Sequence, residues 1–296
     1  MKRRKMYIFI GSFILLCGCI VSIFMVKKLL EHENWQTEQL AILLDENAKR
    51  REEVVSINDE MGALSEDIKS LQDKLLALEN EIKTSEITYE PESYNYLAIG
   101  NSITKHPKCD YWWSEIGMAA SSEEKDFVHL VSAYLSKQYE KQTTYAVCYA
   151  IWEMQVNDRA ETYEVIDPYL SPELDLITIQ LGENVSGLST FESDFEELIA
   201  YVQSKCPKAE IIIIDDFWEN SKRRELKLAV VERLGLPFAD LSEIVNKPEY
   251  RSEMGAIVYG DDGKSHVVEH SGVAIHPGDA GMQYIADKVI ELIGLF

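Results

Sequence analysis

The segment Tyr96–His106, YLAIGNSITKH, decides how the rest of the chain is interpreted. It begins with a short apolar run, continues into Gly100, Asn101 and Ser102, and then becomes polar. Such a run is typical of a strand that is buried on both faces of a parallel sheet. The small residues after it fit either a tight turn that closes the strand or a serine displayed for chemistry at the strand's carboxyl end. The remaining sequence has to distinguish these two interpretations.

Apolar strand candidates alternate with helical stretches from Tyr94 to the end of the sequence. The predicted strands are 94–99, 143–152, 174–181, 211–215 and 236–240, and the predicted helices are 123–138, 191–205, 221–234 and 281–295. This alternation predicts an α/β fold, a three-layer doubly wound parallel sheet. Because ligands collect at the carboxyl ends of such strands, the polar residues that follow each strand are the first candidates for a site.

Three polar blocks stand at such positions. Ser102 follows the first strand, Gly182-Glu183-Asn184 follows the third, and His276 precedes the last helix. Each has a structural explanation when taken alone: a serine can cap a helix, and glycine and asparagine are common in turns. Together they supply a nucleophile, a general base and a hydrogen-bond donor for an oxyanion. The backbone N–H of Ser102 and the amide of Asn184 are the predicted oxyanion donors.

The order and spacing of these blocks resemble those of the SGNH/GDSL hydrolase family over residues 94–296. GNSIT resembles its Gly-Asp-Ser block, GEN its Gly-x-Asn block and HPGDAG its His-Pro block. The resemblance implies a serine hydrolase acting on ester bonds, with Ser102 as nucleophile, His276 as base and Asn184 as oxyanion ligand. It implies neither a metal nor an organic cofactor.

The sequence departs from the family at the residue that would orient the histidine. The family's acid sits three residues before the histidine, where this chain has Val273. We expect either a backbone carbonyl or another acid to orient His276, and Glu183 and Glu269 are the candidate acids. A Ser–His dyad remains workable, because the acid chiefly fixes the tautomer and orientation of the imidazole.

Two further departures concern the serine block and the second strand. Asn101 replaces the family's aspartate beside the serine, and no glycine occurs within residues 148–158 to supply the remaining oxyanion donor. Val273 and the missing glycine favour an alternative interpretation, in which the domain is a degenerate, non-catalytic relative of the family.

The amino-terminal segment has the pattern of a membrane anchor. Tyr7–Val26 is a run of twenty residues without a charge, flanked by Lys2–Lys5 and Lys27–Lys28. Twenty helical residues are enough to cross a hydrocarbon core of about 30 Å, and the denser basic cluster before the span predicts a cytoplasmic N-terminus. A cleaved signal peptide and a lipoprotein site at Cys19 are the alternatives. Because the apolar run continues well beyond Cys19, an uncleaved anchor over residues 1–28 is favoured.

A coiled-coil stalk is predicted to follow the anchor. From Leu40 to Ile82, residues that are apolar except for Asn47 and Arg50 recur in alternating steps of three and four, which is a heptad seam. Asn47 at an a position, with leucine at most d positions, favours a parallel two-stranded coil about 65 Å long. The alternative, a helix folded back on its own domain, needs a wider apolar face. The predicted domains are a cytoplasmic tip and anchor (1–28), a stalk (29–84), a linker (85–93) and a hydrolase-like domain (94–296).

Charge and composition narrow the class of function. Residues 1–28 carry six of the 29 Lys and Arg residues and none of the 51 acids, so the remainder is strongly acidic. A strongly acidic surface disfavours nucleic acid as a partner, because binding phosphate needs a basic surface. The five cysteines show no metal-like spacing. An aromatic cluster, Tyr111–Trp113, either stacks on sugar rings or packs a long loop.

The sequence and the resemblance together predict a membrane-anchored extracellular esterase that removes O-acyl groups, such as acetyl, from carbohydrate. Its predicted partners are a carbohydrate ester, the membrane through residues 7–26, and a second copy of the chain through residues 40–82. Two alternatives stay open: a coiled-coil scaffold or glycan-binding protein with a degenerate domain, and an O-acyltransferase that uses the same residues.

Overall fold

A computed structural model of the protein describes residues 22, 24–30, 34–35, 40, 43–47, 49–51, 54 and 87–294. The chain divides into two units, residues 1–75 and residues 76–296. Every described residue of the first unit is helical and exposed. Nowhere in the described ranges is there a helix with both the length and the apolar character that a bilayer crossing requires. Most of the predicted anchor and of the heptad seam lies outside these ranges, so both remain predictions.

The second unit is built on a parallel sheet, as the sequence predicts. Its five strands lie in the order β2-β1-β3-β4-β5, and each neighbouring pair is parallel. They are β1 (Tyr94–Gly100), β2 (Gln142–Cys148), β3 (Leu176–Gln180), β4 (Glu210–Ile214) and β5 (Phe238–Ala239). A separate antiparallel pair, β6 (Ile257–Tyr259) and β7 (Ser265–Val267), has no counterpart among the predicted strands.

Helices cover both faces of this sheet. The α-helices in the described part of the second unit are α1 (Phe127–Gln138), α2 (Ala150–Met154), α3 (Phe191–Lys205), α4 (Ser221–Leu234), α5 (Ser271–Ala274) and α6 (Asp279–Ile290). Successive side chains of β1 point to opposite faces, so Tyr96 and Ala98 join the core under α1 and α6, whereas Leu97 and Ile99 join the core under α3 and α4. The apolar runs seen in the sequence therefore reflect burial on both faces.

Several predicted boundaries differ from those of the structure. The predicted strand 143–152 ends at Cys148, because the backbone leaves the extended conformation at Tyr149, whose ψ is 28°, and a helix begins at Ala150. The apolar residues that follow form α2 instead, and Trp152 is buried in the core. The predicted helix 281–295 begins earlier, at Asp279, and ends at Ile290.

Two other predicted segments are also divided. The predicted helix 123–138 contains a short 3-10 turn followed by α1, because the Asp126 side chain accepts a hydrogen bond from the backbone N–H of His129 and caps the helix there. Part of the predicted linker packs against the domain: Ile87 and Tyr89 contact its core, and the Tyr89 hydroxyl donates to the carbonyl oxygen of Tyr169 at 2.9 Å.

Candidate active site

Ser102 and His276 meet at the carboxyl edge of the sheet. Ser102 Oγ lies 2.8 Å from His276 Nε2, which is the hydrogen-bond distance expected for a nucleophile and its base. The turn that presents the serine requires Gly100, because a Cβ there would lie 1.9 Å from Thr104 Oγ1 and 2.8 Å from the carbonyl oxygen of Gln180. The glycine therefore makes the tight turn, and the turn displays the serine; both interpretations of the segment hold at once.

A backbone carbonyl orients His276. The ring nitrogen Nδ1 lies 2.6 Å from the carbonyl oxygen of Gly272 in α5. Because a carbonyl oxygen only accepts, Nδ1 carries the proton and Nε2 presents its lone pair to the hydroxyl of Ser102. Glu269, one of the two predicted acids, has an exposed side chain. That prediction is wrong, since the single Nδ1 proton is already donated to Gly272.

Glu183, the other predicted acid, also does not orient the histidine. Its Oε2 accepts from Asn101 Nδ2 and from Gln180 Nε2, both at 2.7 Å, and its Oε1 accepts from the backbone N–H of Phe217 at 2.9 Å. The carboxyl group is drawn to these three donors beneath the turn rather than to His276. Burial raises the pKa of Glu183 to about 7.

The environment of His276 keeps the imidazole neutral. Burial lowers the pKa of His276 to about 4; the hydrogen bond to Gly272 opposes this shift, and nearby His106 adds to it. The ring of Trp218 packs edge-on against the imidazole, with centroids 4.9 Å apart. At neutral pH the side chain is therefore unprotonated at Nε2 and ready to accept a proton.

Asn184 lies at the same edge of the sheet. It follows β3, whose Gln180 pairs with Gly100 at the end of β1. Its side chain is exposed, and its Nδ2 donates to Glu153 Oε2 at 2.5 Å. The structure thus brings all three predicted blocks together at one edge of the sheet.

Two features of the site were missed in the sequence. Glu153 comes directly after the predicted second strand, 143–152, and it belongs to no motif that could have marked it. The position of the family's remaining oxyanion donor, just after β2, is taken by Tyr149 and Ala150. The N–H of Tyr149 donates to Gly100, so that of Ala150 is the next backbone donor along the chain.

In the aromatic cluster Tyr111–Trp113, some rings pack inside the domain and one is exposed. Trp112 is buried in the core, and Trp113 stacks on His266 with centroids 4.3 Å apart. Tyr111 is 39% exposed and stacks on His270 at 4.2 Å. His270 immediately precedes α5, and Gly272 in α5 accepts the hydrogen bond from His276. Tyr111 is therefore the exposed ring of the cluster, and it lies beside the helix that orients His276.

No metal centre is evident within the described residues: none of their His, Cys, Asp and Glu side chains form a group of three or more that could hold an ion.

Comparisons with known proteins give similarity only at the level of solved structures. No family model matches the sequence, and no curated protein matches it. One similar structure is phospholipase A1 from Streptomyces albidoflavus NA297, which is 12% identical, with a TM-score of 0.45 over 67% of this chain and 99% of that chain.

Two other similar structures are also hydrolases. A two-domain esterase active on acetylated mannans is 15% identical, with a TM-score of 0.45 over 68% of this chain, which spans about half (49%) of the esterase. A putative GDSL-like lipase from Parabacteroides merdae ATCC 43184 is 16% identical, with a TM-score of 0.42 over 69% of this chain and 97% of that chain. All three of these structures have a TM-score below 0.5.

Proposed function

We propose that this protein is a serine esterase whose reaction is carried out by the dyad of Ser102 and His276. The observation that carries the proposal is the 2.8 Å contact between Ser102 Oγ and His276 Nε2, combined with the bond from Nδ1 to Gly272 that selects the basic tautomer. Serine becomes an effective nucleophile only when a neighbouring base removes its proton, and this geometry provides that base.

The chemistry follows from the positions of these groups. His276 Nε2 takes the hydroxyl proton as Ser102 Oγ attacks the carbonyl carbon of the ester. The negative charge that develops on the carbonyl oxygen is stabilised by the N–H of Ser102 and by the Asn184 amide. The imidazolium then gives its proton to the departing alcohol, and water, activated by the same base, releases the acid from the acyl-enzyme.

The group that orients His276, a backbone carbonyl, favours esters over amides as substrates. The imidazolium formed during the reaction is stabilised by the carbonyl oxygen of Gly272, a neutral dipole, rather than by a carboxylate. An ester needs less help from a strong general acid than an amide does, because alkoxide is a better leaving group than amide anion. We therefore assign ester bonds as the substrate class.

The substrate we propose is an O-acylated, for example O-acetylated, carbohydrate. What supports this finer assignment is the exposed ring of Tyr111 and the ring of Trp218 against His276, two surfaces on which a sugar can stack. An acyltransferase would use the same acyl-enzyme and pass the acyl group to a sugar hydroxyl instead of water. The two activities differ in their products, free acid in one case and a new ester in the other.

The proposed setting is the outer face of a cell membrane. Its support is the sequence alone: the uncharged run Tyr7–Val26, the basic residues before it, and the heptad seam from Leu40 to Ile82. In this proposal the anchor holds the N-terminus in the cytoplasm, and a parallel homodimer carries two esterase domains away from the bilayer.

The experiment that tests the activity compares three forms of the full-length protein in detergent: wild type, Ser102→Ala, and Ser136→Ala. Ser136 is an exposed serine on α1 and serves as the matched control. We expect wild type and Ser136→Ala to hydrolyse aryl acetates and to react with a fluorophosphonate, and Ser102→Ala to do neither. Labelling or hydrolysis that persists in Ser102→Ala would show that this serine is not the nucleophile.

A further inference from the structure

A buried carboxylate lies beneath the proposed site. Glu153, in α2, has 1% of its surface exposed. Its Oε1 accepts from the backbone N–H of Gly182 and from Asn101 Nδ2 at 3.2 Å, and its Oε2 accepts from Asn184 Nδ2 at 2.5 Å. One side chain from the segment after β2 therefore joins the turn after β1, which carries the serine, to the turn after β3, which carries the asparagine.

This contact fixes which atom of the Asn184 amide faces inward. An asparagine amide can present either its oxygen or its nitrogen to a neighbour, and two oxygens would repel each other. With one N–H donated to Glu153, the planar amide holds its second N–H in a set direction away from the carboxylate. Because Asn184 is exposed, this bond restrains a side chain that would otherwise sample several rotamers.

We propose that Glu153 is a positioning residue of the oxyanion hole, which sets the orientation of the Asn184 amide; this inference rests on the proposed esterase function. An oxyanion donor stabilises the transition state most when its N–H already points to the position of the oxyanion before the reaction begins. Glu153 orients the N–H of Asn184 from a buried and hydrogen-bonded position, and it does not itself contact the substrate.

The same arrangement explains why position 101 is an asparagine. Asn101 Nδ2 donates to both Glu153 Oε1 and Glu183 Oε2, while its Oδ1 accepts from the N–H of Ile103 at 3.0 Å. An aspartate at this position would place a third carboxylate against two others and leave both without this donor. Asn101 and Glu153 therefore form one unit, in which the amide provides the donors and the acid the acceptors.

The positioning of the Asn184 amide by Glu153 and the negative charge of Glu153 have opposite effects on the reaction rate. The change in rate when this charge is removed therefore shows which of the two dominates. A carboxylate close to the oxyanion hole disfavours a developing negative charge, whereas a well-aimed N–H stabilises it. If positioning dominates, then removing the charge of Glu153 while keeping its shape slows the reaction. If the charge dominates, the same change speeds it.

The test measures kcat and KM for aryl acetate hydrolysis by full-length Glu153→Gln, Asn184→Ala and the double variant. We expect kcat to fall about 10- to 100-fold in Glu153→Gln, with KM within about twofold of wild type, since a donor acting in the transition state affects kcat. In the Asn184→Ala background the same change should alter kcat by less than about threefold, because the group that Glu153 positions is gone. Glu161→Gln, which alters an exposed carboxylate, should retain wild-type kcat.

Three results would overturn the proposal: an unchanged or raised kcat in Glu153→Gln, an effect confined to KM, or an undiminished effect of the change in the Asn184→Ala background. A second measurement covers the case in which Glu153→Gln does not fold. In wild-type protein, the two Asn184 Nδ2 protons, assigned by their absence from the NMR spectrum of Asn184→Ala, should be well separated, with one shifted downfield and protected from exchange.

Side-chain amide signals like those of a free asparagine would contradict the contact itself. This measurement does not depend on esterase activity. If Ser102→Ala retained activity, or wild type hydrolysed no ester, the proposed function would fail, and the amide signals would still decide whether Glu153 holds Asn184.

Discussion

The Nδ1 atom of His276 lies 2.6 Å from the carbonyl oxygen of Gly272, so a backbone carbonyl, one of the two kinds of partner expected from the sequence, holds the imidazole. A carbonyl fixes the tautomer and the ring plane, as an acid does, but it contributes only a partial negative charge. It therefore raises the pKa of the imidazole less than a buried carboxylate would. This difference gives the dyad a distinctive dependence on pH.

We predict that kcat/KM for ester hydrolysis falls as the pH is lowered through about 4. The base acts in its neutral form, and burial lowers the pKa of His276 to about 4, so activity should be retained well below pH 6 and fall as the pH passes through about 4. A pH–rate profile at constant ionic strength measures this, with circular dichroism to confirm that the fold persists. An acid limb between pH 6 and 7 would contradict the buried, unprotonated imidazole.

The same shift also affects the stability of the fold. The pKa of a histidine in the unfolded chain is about 6.5, so between about pH 6.5 and pH 4 the unfolded chain takes up a proton that the buried His276 does not. This contribution to stability is present above pH 6.5 and is lost as the pH falls through that window.

His106→Gln removes a neighbour that lowers the pKa of His276. It should therefore move the acid limb of the pH–rate profile to higher pH.

We predict that Val273→Asp, which restores an acid at the family's position, destabilises the fold instead of completing a triad. The Val273 side chain is buried in the core with 1% of its surface exposed, whereas the adjacent carbonyl of Gly272 already bonds to the histidine. Burying a carboxyl group without partners should cost about 3 kcal/mol or more. Denaturant unfolding measures the loss, and Ile275→Asp, at a position 47% exposed, is the control and should cost far less.

We predict that Gly100→Ala harms both stability and activity. The added methyl group would meet Thr104 Oγ1 and the Gln180 carbonyl at distances that no relaxed contact allows, so the turn carrying Ser102 must shift. Overpacking of this kind costs about 1–3 kcal/mol, and a displaced nucleophile lowers kcat. Gly187→Ala, where a Cβ has no neighbour within 4 Å, is the matched control and should change stability by less than about 1 kcal/mol. Equal behaviour of the two variants would contradict the close approach at Gly100.

The sequence predicted those parts of the fold whose signals are local. Helices α3 and α4 begin and end at the predicted residues. Asn220 caps the start of α4, and Gly235, which has a positive φ, follows its last residue, Leu234. The end of β2 was not predicted, because the apolar run continues through Trp152 while the backbone turns at Tyr149. The change in backbone conformation at Tyr149, where ψ is 28°, has no counterpart in the apolar pattern of the sequence.

The candidate site shows the same division. The placement of Ser102 and Asn184 at one edge of the sheet could be predicted, because parallel strands bring their carboxyl ends together there. His276 follows no strand of this sheet, and it was assigned to the site through the resemblance of HPGDAG to a family block. The partner of His276 could not be identified, because any residue has a carbonyl and Gly272 carries no signature of this role. Glu153 was missed for a related reason: its function depends on donors from two other strand ends, which no local pattern in the sequence records.

The last prediction concerns the stalk, whose heptad seam does not depend on the resemblance to any family. On a single chain, Leu40, Leu43 and Val54 of this seam are each more than half exposed. Pairing two chains would bury such a stripe, and two Asn47 amides can bond each other in a parallel, in-register dimer. We therefore expect a fragment of residues 29–296 to be dimeric at micromolar concentration and a fragment of residues 89–296 to be monomeric, as measured by sedimentation equilibrium. Leu43→Lys in the longer fragment places like charges in the seam and should shift it toward monomer, whereas a wild-type longer fragment that is already monomeric would remove the coiled coil from the proposed function.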